Sequence, residues 1–431
     1  MYLLLITVIA WGLLSGVAVA ADPDFDIHAR GIFMVNTDSG ETVFTKNADS
    51  LMYPASLTGI MTALLALESV EDLQAESVII SSEVLNPILL EGASNVALKA
   101  GEIIDMEDLV YAVLLPSGCD ASASIAYHLG EGDIDAFVVR MNNRARELGA
   151  LNTHFTNPTG LHDRDQVTTP YDMYRIASYA MSLPAFREIV SQTSYTMKST
   201  NMNNSRTVVS TNLMMNPAND VYDSRIVGVK SGFTSQAGRC MISTAADETG
   251  EYLLVVMGAN LDQRAADSTQ ANLAYLDSRN LYDWAFENFT IQRLTSRGEE
   301  LHSIPVKSGS EKTVALVAVD DCSALLEAGQ NPIFIQHEVS VIKSLKAPVE
   351  AGINVGKVVF TLDGEEIGSV GLVTATAIKR SWFWPILFGL GGLILLAIIL
   401  LRIRNNKRNQ FRTKRGNNNR VEPRQYQDLA R

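Results

Sequence analysis

Three short stretches of this chain carry residues suited to covalent serine chemistry. Ser56 opens the stretch SLTG, Ser117 opens SGC, and Lys230 opens KSG. A serine hydroxyl attacks a carbonyl carbon once a base has taken its proton, and a lysine cation attracts a substrate carboxylate. The combination predicts an enzyme that forms an acyl intermediate on Ser56, provided that folding brings the three stretches together.

The third position after Ser56 carries no base. A lysine there would lie one helical turn from the serine, on the same face, and would take its proton. The chain has Gly59 instead, which offers no base and costs about 1 kcal/mol relative to alanine inside a helix. Because a positioned base contributes about 10²–10⁴-fold to a rate, we expect turnover to be reduced.

The elements predicted around these stretches follow an α/β order. Residues 32–35 and 42–46 are predicted to form a strand pair, and a helix with an apolar face begins near Ser56. Lys230 lies on the first strand of a hairpin that turns at 235–238, and a further strand and a closing helix follow. The order predicts an α/β sandwich whose sheet joins the two ends of the domain. The all-α lobe inserted between them contains helices predicted at 106–116, 120–130 and 133–148.

Both ends of the chain have the composition of membrane-targeting segments. Residues 2–20 form an apolar run that ends in Ala-Val-Ala, typical of a signal peptide spanning 1–20, with an uncleaved anchor as the alternative. Residues 382–401 contain no charge and are long enough to cross a ~30 Å hydrocarbon core as a transmembrane helix. The tail at 402–431 has ten basic and two acidic residues, so the positive-inside rule predicts that it is cytoplasmic.

The rest of the chain is predicted to form two extracytoplasmic domains. Residues 22–287 are predicted to form the catalytic domain. In residues 288–378, apolar and polar residues alternate in short β-branched runs, a pattern typical of a small all-β domain between the catalytic domain and the membrane. The whole chain has a net charge of −13 although its tail is basic, so the body is strongly acidic. This charge argues against nucleic acid as a partner.

The cysteines and histidines of the chain bear on disulfide formation and on metal binding. The three cysteines allow either one disulfide with one remaining thiol or three buried thiols, and both alternatives stay open. No His-Glu-x-x-His or clustered Cys/His pattern occurs, so we expect no metal site and no cofactor. His154 and His162 flank the segment NPTGL and are interpreted as loop residues at the rim of the site.

The three stretches, taken in order, resemble a known motif set. Serine-type D-Ala-D-Ala carboxypeptidases, the low-molecular-mass penicillin-binding proteins, carry S-x-x-K, S-x-N and K-T-G. This chain resembles them over about residues 25–290, in PASLTGIMTALLALE, LLPSGCDASASIAYHLGE, HFTNPTGLHD and GVKSGFTSQAGRC. The resemblance implies a β-lactamase/transpeptidase-like α/β sandwich with an all-α lobe, followed by a small all-β domain and a C-terminal transmembrane helix.

The resemblance also implies a role for each residue of the three stretches. Ser56 is the nucleophile, Ser117 relays a proton to the leaving amine, and Gly59 occupies the base position. Cys119 stands where the family has an amide, which weakens substrate positioning because a thiol is a poor donor and acceptor. The substrate-binding set, which includes the N–H of Phe233 as an oxyanion donor, is Lys230, Ser231, Gly232, Phe233, Thr234 and Cys119.

These roles predict an impaired serine-type carboxypeptidase that acts on peptidoglycan stem peptides ending in D-Ala-D-Ala. β-Lactam antibiotics are the expected acylating ligands, and the expected location is the cell membrane, spanned once, with the catalytic domain outside. A catalytically silent homologue that binds peptidoglycan or a cell-wall partner is the alternative, and Gly59 favours it. A β-lactamase is disfavoured because NPTGLHD lacks the Glu-x-x-x-Asn pattern of the deacylation loop.

Overall fold

The computed structural model describes residues 23–90, 92–260 and 272–416. The predicted signal peptide at 1–20 and the end of the predicted tail, from residue 417, lie outside these residues. The chain divides into two compact units. The first ends at Thr295 and also contains Cys322–His337 and Phe360–Gly368, while the second contains Ser296–Asp321, Glu338–Val359 and the residues from Ser369 onward.

The strands and helices alternate in blocks along the chain. The strands are β1 (Gly31–Asn36), β2 (Thr42–Lys46), β3 (Ser77–Ile79), β4 (Ile103–Asp105), β5 (Ser194–Met197), β6 (Arg206–Val209), β7 (Ile226–Thr234), β8 (Gly238–Asp247), β9 (Gly250–Ala259), β10 (Phe289–Thr295), β11 (Glu300–Lys307), β12 (Thr313–Ala318), β13 (Cys322–Glu327), β14 (Gln336–Val341), β15 (Leu345–Lys346), β16 (Asn354–Leu362) and β17 (Glu365–Thr374). The helices are α1 (Gly59–Ser69), α2 (Ser82–Leu90), α3 (Met106–Leu114), α4 (Cys119–Leu129), α5 (Ile134–Glu147), α6 (Pro170–Ser182), α7 (Pro184–Val190), α8 (Leu273–Asn288) and α9 (Phe383–Gly416).

The main sheet of the first unit has five antiparallel strands in the order β2-β1-β9-β8-β7. Strands from the two ends of the domain, β1 and β9, pair at its centre, as the sequence predicted. Alternate residues of β9 face opposite sides: Leu253 and Val255 pack with the helical lobe, while Leu254 and Val256 pack with α8. Because both faces are covered, the strand reads as a continuous apolar run rather than an alternating one.

Helix α1 lies at the centre of the helical lobe. Its residues from Gly59 to Ala66 are all buried, which is the pattern of a helix that is apolar on every side and surrounded by protein. The predicted α-helix at Ser56 differs in detail, because Ala55–Thr58 form a 3-10 turn and the α-helix begins at Gly59. The N–H of Leu57 donates to the carbonyl of Pro54 at 3.2 Å, an i to i+3 bond that tightens this turn.

Helix α3 ends two residues earlier than the sequence predicted. Its last residue is Leu114, and Pro116 follows after one further residue. Leu115 still has helical backbone, and its N–H donates to the Tyr111 carbonyl at 3.0 Å. Pro116 has no N–H to donate to Ala112, whose carbonyl accepts from the N–H of Gly118 at 2.8 Å instead, so the helical pattern ends here. The early end leaves Ser117 in the loop between α3 and α4, where its backbone is free of the helical pattern.

The C-terminal region contains a six-stranded sheet in the order β14-β16-β17-β12-β11-β15. On β12, Val314, Leu316 and Ala318 are buried and alternate with more exposed residues, the pattern of a strand with one covered face. Helix α9 includes a candidate membrane span at Ile386–Lys407, judged by its length and apolar composition. The predicted domain boundaries at 287, 378 and 401 stay predictions.

Candidate active site

The backbone at Ser56 lies between two glycines from distant parts of the chain. A Cβ on Gly160 would be 2.1 Å from the Ala55 carbonyl oxygen and 2.9 Å from the Ser56 nitrogen. A Cβ on Gly232, in β7, would be 3.0 Å from the same nitrogen. Ala55 itself has a φ of 49°, in the left-handed region. A Cβ would clash at position 160 and would be tight at position 232, so two distant segments lie against the backbone of Ser56.

The loop that carries Gly160 is fixed by its own hydrogen bonds and by bonds to α1. The Oδ1 of Asn157 accepts from the N–H of Gly160 at 2.9 Å. The Thr62 hydroxyl donates to the Pro158 carbonyl at 2.7 Å, and Gln166 donates to the Thr58 hydroxyl at 3.3 Å. The sequence analysis gave this loop no role beyond its resemblance to the family, although its N-P-T-G segment is a recognisable turn signal.

Ser117 and Lys230 are joined by a hydrogen bond. The Lys230 Nζ donates to the Ser117 hydroxyl, and it also donates to the Ser231 carbonyl at 3.2 Å. Ser117 has a φ of 63°, so it adopts left-handed backbone, as Ala55 does. Non-glycine residues rarely adopt this conformation, and their presence beside a nucleophile is typical of a functional site.

The ammonium group of Lys230 is buried in the interior of the site. Lys230 is 2% exposed, and no carboxylate of the described residues forms an ion pair with it. Burial lowers the pKa of Lys230 to about 7, because the cation loses its hydration, and the charge of Cys119 opposes this shift. The lysine therefore lies near the point where it can be either an amine or a cation at neutral pH.

Gly59 lies against the hydrocarbon stem of Lys230. A Cβ at position 59 would be 3.6 Å from the Lys230 Cε and 3.1 Å from the Cγ1 of Val113 in α3. The first distance is an ordinary van der Waals contact, and the second is tight. Lys230 thus passes beside the place where a side chain at 59 would start, one turn from Ser56.

Cys119 is the first residue of α4 and packs in an apolar cluster. It is 5% exposed and lies with Val84, Ile88 and Ala123. Its Sγ is 3.9 Å from the Ser117 carbonyl oxygen. Cys119, Cys240 and Cys322 are not joined by a disulfide. Cys119 and Cys240 are buried, whereas Cys322 is half-buried, so the alternative of three buried thiols fits two of the three.

Asp120, which follows Cys119, shapes the wall of the site. Its carboxylate accepts from the N–H groups of Val96 and Leu98 at distances from 3.0 to 3.1 Å. Burial raises the pKa of Asp120. These bonds fix the loop at 94–98 against α4, so the carboxylate has a structural task rather than the task of balancing Lys230.

The remaining residues of the third stretch line the edge of β7. The Ser231 hydroxyl donates to the Thr211 hydroxyl at 2.8 Å, and the Thr234 hydroxyl accepts from the N–H of Ala237 at 3.0 Å. Phe233 is 43% exposed, and the guanidinium of Arg239 lies 4.2 Å from the centre of its ring. Thr211 was missed by the sequence analysis because nothing in its local sequence links it to the third stretch.

The structure brings the three stretches to one place in the first unit. The turn at Ser56 contacts β7 through Gly232, and β7 contacts the second stretch through Lys230. His154 and His162 are exposed, and His162 packs edge-on against Tyr53 with 4.8 Å between ring centres. Within the described ranges, no group of three His, Cys, Asp or Glu residues is arranged to hold a metal ion. The catalytic roles of the predicted site residues stay predictions.

Two family models match this chain, each over one of its two predicted domains. The model described as D-alanyl-D-alanine carboxypeptidase matches residues 17–261, and the model described as Penicillin-binding protein 5, C-terminal domain matches residues 289–380. The chain is 26% identical to D-alanyl-D-alanine carboxypeptidase DacF from Bacillus subtilis over 359 residues, which is 83% of this chain and 87% of that protein. It is 31% identical to a D-alanyl-D-alanine carboxypeptidase from Streptomyces sp. strain K15 over 270 residues, covering 61% of this chain and 92% of that protein.

Solved structures show the same fold. The crystal structure of penicillin binding protein 5 from Haemophilus influenzae has a TM-score of 0.69 and 27% identity, and covers 83% of this chain and 99% of that chain. The Streptomyces K15 DD-transpeptidase has a TM-score of 0.55 and 27% identity, and covers 61% of this chain and 98% of that chain. These matches confirm the predicted resemblance and fold class.

Proposed function

This chain belongs to the D-alanyl-D-alanine carboxypeptidase family of hydrolases, and on that premise we propose that it cleaves peptidoglycan stem peptides ending in D-Ala-D-Ala. The proposed reaction runs through an acyl-enzyme at Ser56, at a rate limited by the absence of a lysine at position 59. The observation that carries this proposal is the tight fit of Gly160 and Gly232 against the Ser56 backbone, with Lys230 reaching the same place.

The proposed reaction has two halves. Ser56 Oγ attacks the carbonyl carbon of the penultimate D-alanine, and the N–H groups of Ser56 and Phe233 stabilise the oxyanion. The C–N bond breaks, the leaving D-alanine takes a proton through Ser117, and water then hydrolyses the ester. The hydroxyls of Ser231 and Thr234 lie along β7, where they support binding of the substrate's terminal carboxylate together with the Lys230 cation.

The missing lysine determines how fast this reaction runs. Gly59 is buried and has no group that can take a proton from Ser56. Loss of a positioned base typically lowers a rate by about 10²–10⁴-fold. We therefore propose slow acylation of Ser56 rather than the rate of a family member that carries the lysine.

The second candidate is a catalytically silent homologue that binds peptidoglycan or a cell-wall partner. Gly59 favours it, because the groove along β7 does not depend on a base at position 59 for ligand binding. Cys119 favours it as well, since the thiol packs in an apolar cluster where the family has an amide. In this alternative, stem peptides bind and are not cleaved.

We propose the following arrangement in the cell. Residues 1–20 direct export, the catalytic domain at 22–287 and the β domain at 288–378 lie outside, and 382–401 cross the membrane. The apolar helix Ile386–Lys407 supports the anchor. The basic residues of 402–431 support a cytoplasmic tail through the positive-inside rule. β-Lactams reach the site from the outside.

One experiment separates the two candidates. The full chain in detergent is incubated with a fluorescent penicillin and, separately, with a pentapeptide ending in D-Ala-D-Ala. Slow labelling that mass spectrometry places on Ser56, together with slow D-alanine release, is the expected result, and Ser56→Ala abolishes both. Saturable binding of the pentapeptide with neither labelling nor release identifies the silent homologue instead.

A further inference from the structure

We propose that Lys230 accepts the proton of Ser56 through the Ser117 hydroxyl, and so performs the task of a lysine at position 59. This inference rests on the proposed acyl-enzyme at Ser56. In it, Lys230 starts as the neutral amine and attracts the substrate carboxylate only after it has taken the proton, whereas the sequence analysis assigned it to carboxylate binding throughout.

The position of the lysine stem is the first step of the argument. Residue 59 lies three positions after Ser56, so a side chain there would start one helical turn from the nucleophile. The Cε of Lys230 is 3.6 Å from where that side chain would start. The methylene groups of Lys230, which extend from strand β7, therefore lie next to the point from which a lysine side chain at position 59 would extend.

The hydrogen bond to Ser117 is the second step. The Nζ of Lys230 donates to the Ser117 hydroxyl, and when the amine is neutral this hydroxyl can donate to it instead. A hydroxyl between a nucleophile and an amine transfers a proton by accepting one and giving up its own. The hydrogen bond from Nζ holds the Ser117 hydroxyl at Lys230, and the inference places this hydroxyl between the amine and Ser56.

The surroundings of the amine are the third step. The groups placed near Lys230 are Gly59 from α1, the hydroxyl of Ser117 and the titratable thiol of Cys119 from α4. Its register partner on β8 is Ile242. Among the residues that the structure describes, no carboxylate pairs with the ammonium to hold it in its charged form. Burial lowers the pKa of Lys230 to about 7, so a large share of the molecules carries a neutral amine at neutral pH.

The proposed step balances in protons and electrons. The Oγ of Ser56 bonds to the substrate carbonyl carbon while its proton moves to Ser117, and the Ser117 proton moves to Lys230. The carbonyl oxygen takes the π electron pair, and Lys230 becomes a cation close to the substrate carboxylate. When the C–N bond breaks, the same proton returns through Ser117 to the leaving amine, and water repeats the sequence on the ester.

The two roles of Lys230 predict opposite pH dependences. A base acts as the neutral amine, so the acylation rate would rise about tenfold per pH unit below the pKa and level off above it. A lysine that only attracts the carboxylate acts as a cation, so the rate would fall as pH rises through the same pKa. The sign of the slope around neutral pH therefore distinguishes the roles without any mutation.

The experiment measures the second-order rate constant for labelling of the full chain in detergent by a fluorescent penicillin across neutral pH. We expect a rise that levels off near the pKa of Lys230. Lys230→Arg keeps a cation that cannot act as a base, and we expect it to lose at least about 10²-fold at every pH. Lys198→Arg is the matched control, because Lys198 is half exposed and pairs with Asp105, and we expect this variant to be labelled at the natural rate.

Three results would overturn the inference. The first is a rate that falls as pH rises, and the second is full activity of Lys230→Arg. The third is a natural chain that stays unlabelled at every pH while Gly59→Lys is labelled at Ser56. In that case Ser56 can be acylated in this fold, and only the role of Lys230 as base fails. If neither protein is labelled, the proposed acyl-enzyme fails together with the inference.

Discussion

Two regions around Ser56 differ in what they are built from: one consists of closely packed backbone, the other of side chains around a buried amine. We call Ala55, Ser56, Gly160 and Gly232 the backbone cradle. The proton pocket consists of Gly59, Val113, Ser117, Cys119 and Lys230. In the cradle, main-chain atoms approach so closely that a Cβ would clash at position 160 and would be tight at position 232. In the pocket, the resemblance implies a lysine at position 59 and an amide at position 119, where this chain has Gly59 and Cys119, and Lys230 lies beside Gly59.

In the proposed function, the cradle holds the backbone of Ser56 and the pocket takes its proton, so different residues perform the two tasks. The cradle depends on distances of about van der Waals contact, which a single methyl group disturbs. The pocket depends on a basic group with a suitable pKa, which a neighbouring side chain can supply. A chain can therefore keep the first region unchanged while the second is rearranged.

Gly160→Ala is the sharpest way to break the cradle. The new Cβ would meet the Ala55 carbonyl at 2.1 Å, and residue 160 already has a φ of +83°. We expect labelling by a fluorescent penicillin to fall by more than about 10²-fold, because the turn that carries Ser56 must move. Denaturant unfolding should show a loss of about 2–4 kcal/mol.

Gly40→Ala is the matched control for backbone strain. Gly40 has a φ of +77°, and nothing lies within 4 Å of its Cβ position. We expect a loss of about 1 kcal/mol in the free energy of unfolding and unchanged labelling, since only the left-handed backbone is penalised. Equal losses of labelling in both variants would contradict the cradle as a steric device.

Gly59→Lys tests whether the pocket alone limits the rate. A lysine at 59 places an amine one turn from Ser56, and we expect labelling at neutral pH to rise by about 10²-fold. Val113 must yield slightly, because its Cγ1 would be 3.1 Å from the new Cβ. The measurement is the second-order rate constant for acylation of the full chain.

Gly59→Ala tests whether a gain in Gly59→Lys comes from the new amine or merely from replacing glycine by a residue with a Cβ. Alanine gains about 1 kcal/mol in helix propensity over glycine and meets Val113 in the same way. We expect its labelling rate to stay near that of the natural chain. If Gly59→Ala and Gly59→Lys raise the rate equally, then helix rigidity rather than a base limits the reaction.

Gly232→Ala tests the other wall of the cradle with a milder change. Its Cβ would lie 3.0 Å from the Ser56 nitrogen and 3.3 Å from the Ala55 Cβ, and its backbone is not left-handed. We expect β7 to move away by a fraction of an ångström and labelling to fall by about tenfold, with little change in stability. Gly371→Ala in β17 has a similar 3.3 Å contact, to a Val319 side chain, and should leave labelling unchanged.

The sequence predicted the elements of the catalytic domain well because their signals are local. The strand at 42–46 is found at Thr42–Lys46, and the strand at 32–35 is found within Gly31–Asn36. The helix predicted at 106–116 ends at Leu114, since Pro116 has no N–H with which to continue the helical hydrogen bonds. Alternation and helical periodicity depend on near neighbours, so they can be read directly from the chain.

The site was predicted less completely because its essential distances join remote residues. Ser56, Ser117 and Lys230 were found from motifs, but the approach of Gly160 to the Ala55 carbonyl has no sequence signal. Nor does the sequence reveal that the stem of Lys230 lies 3.6 Å from the Cβ position of Gly59. Such contacts exist only after the loop, the helix and the strand have packed together.

Cys119→Ala makes the smallest change and sharpens the limits of the proton pocket. The thiol packs with Val84, Ile88 and Ala123, so its removal should cost about 1 kcal/mol of stability through lost contacts. We expect labelling to change by less than about threefold, because a thiol is a weak donor and acceptor for a substrate amide. A much larger loss of labelling, with stability preserved, would mean that Cys119 contacts the substrate. Cys119 would then still position the substrate, and Gly59 would be the one position at which the pocket departs from the pattern that the resemblance implies.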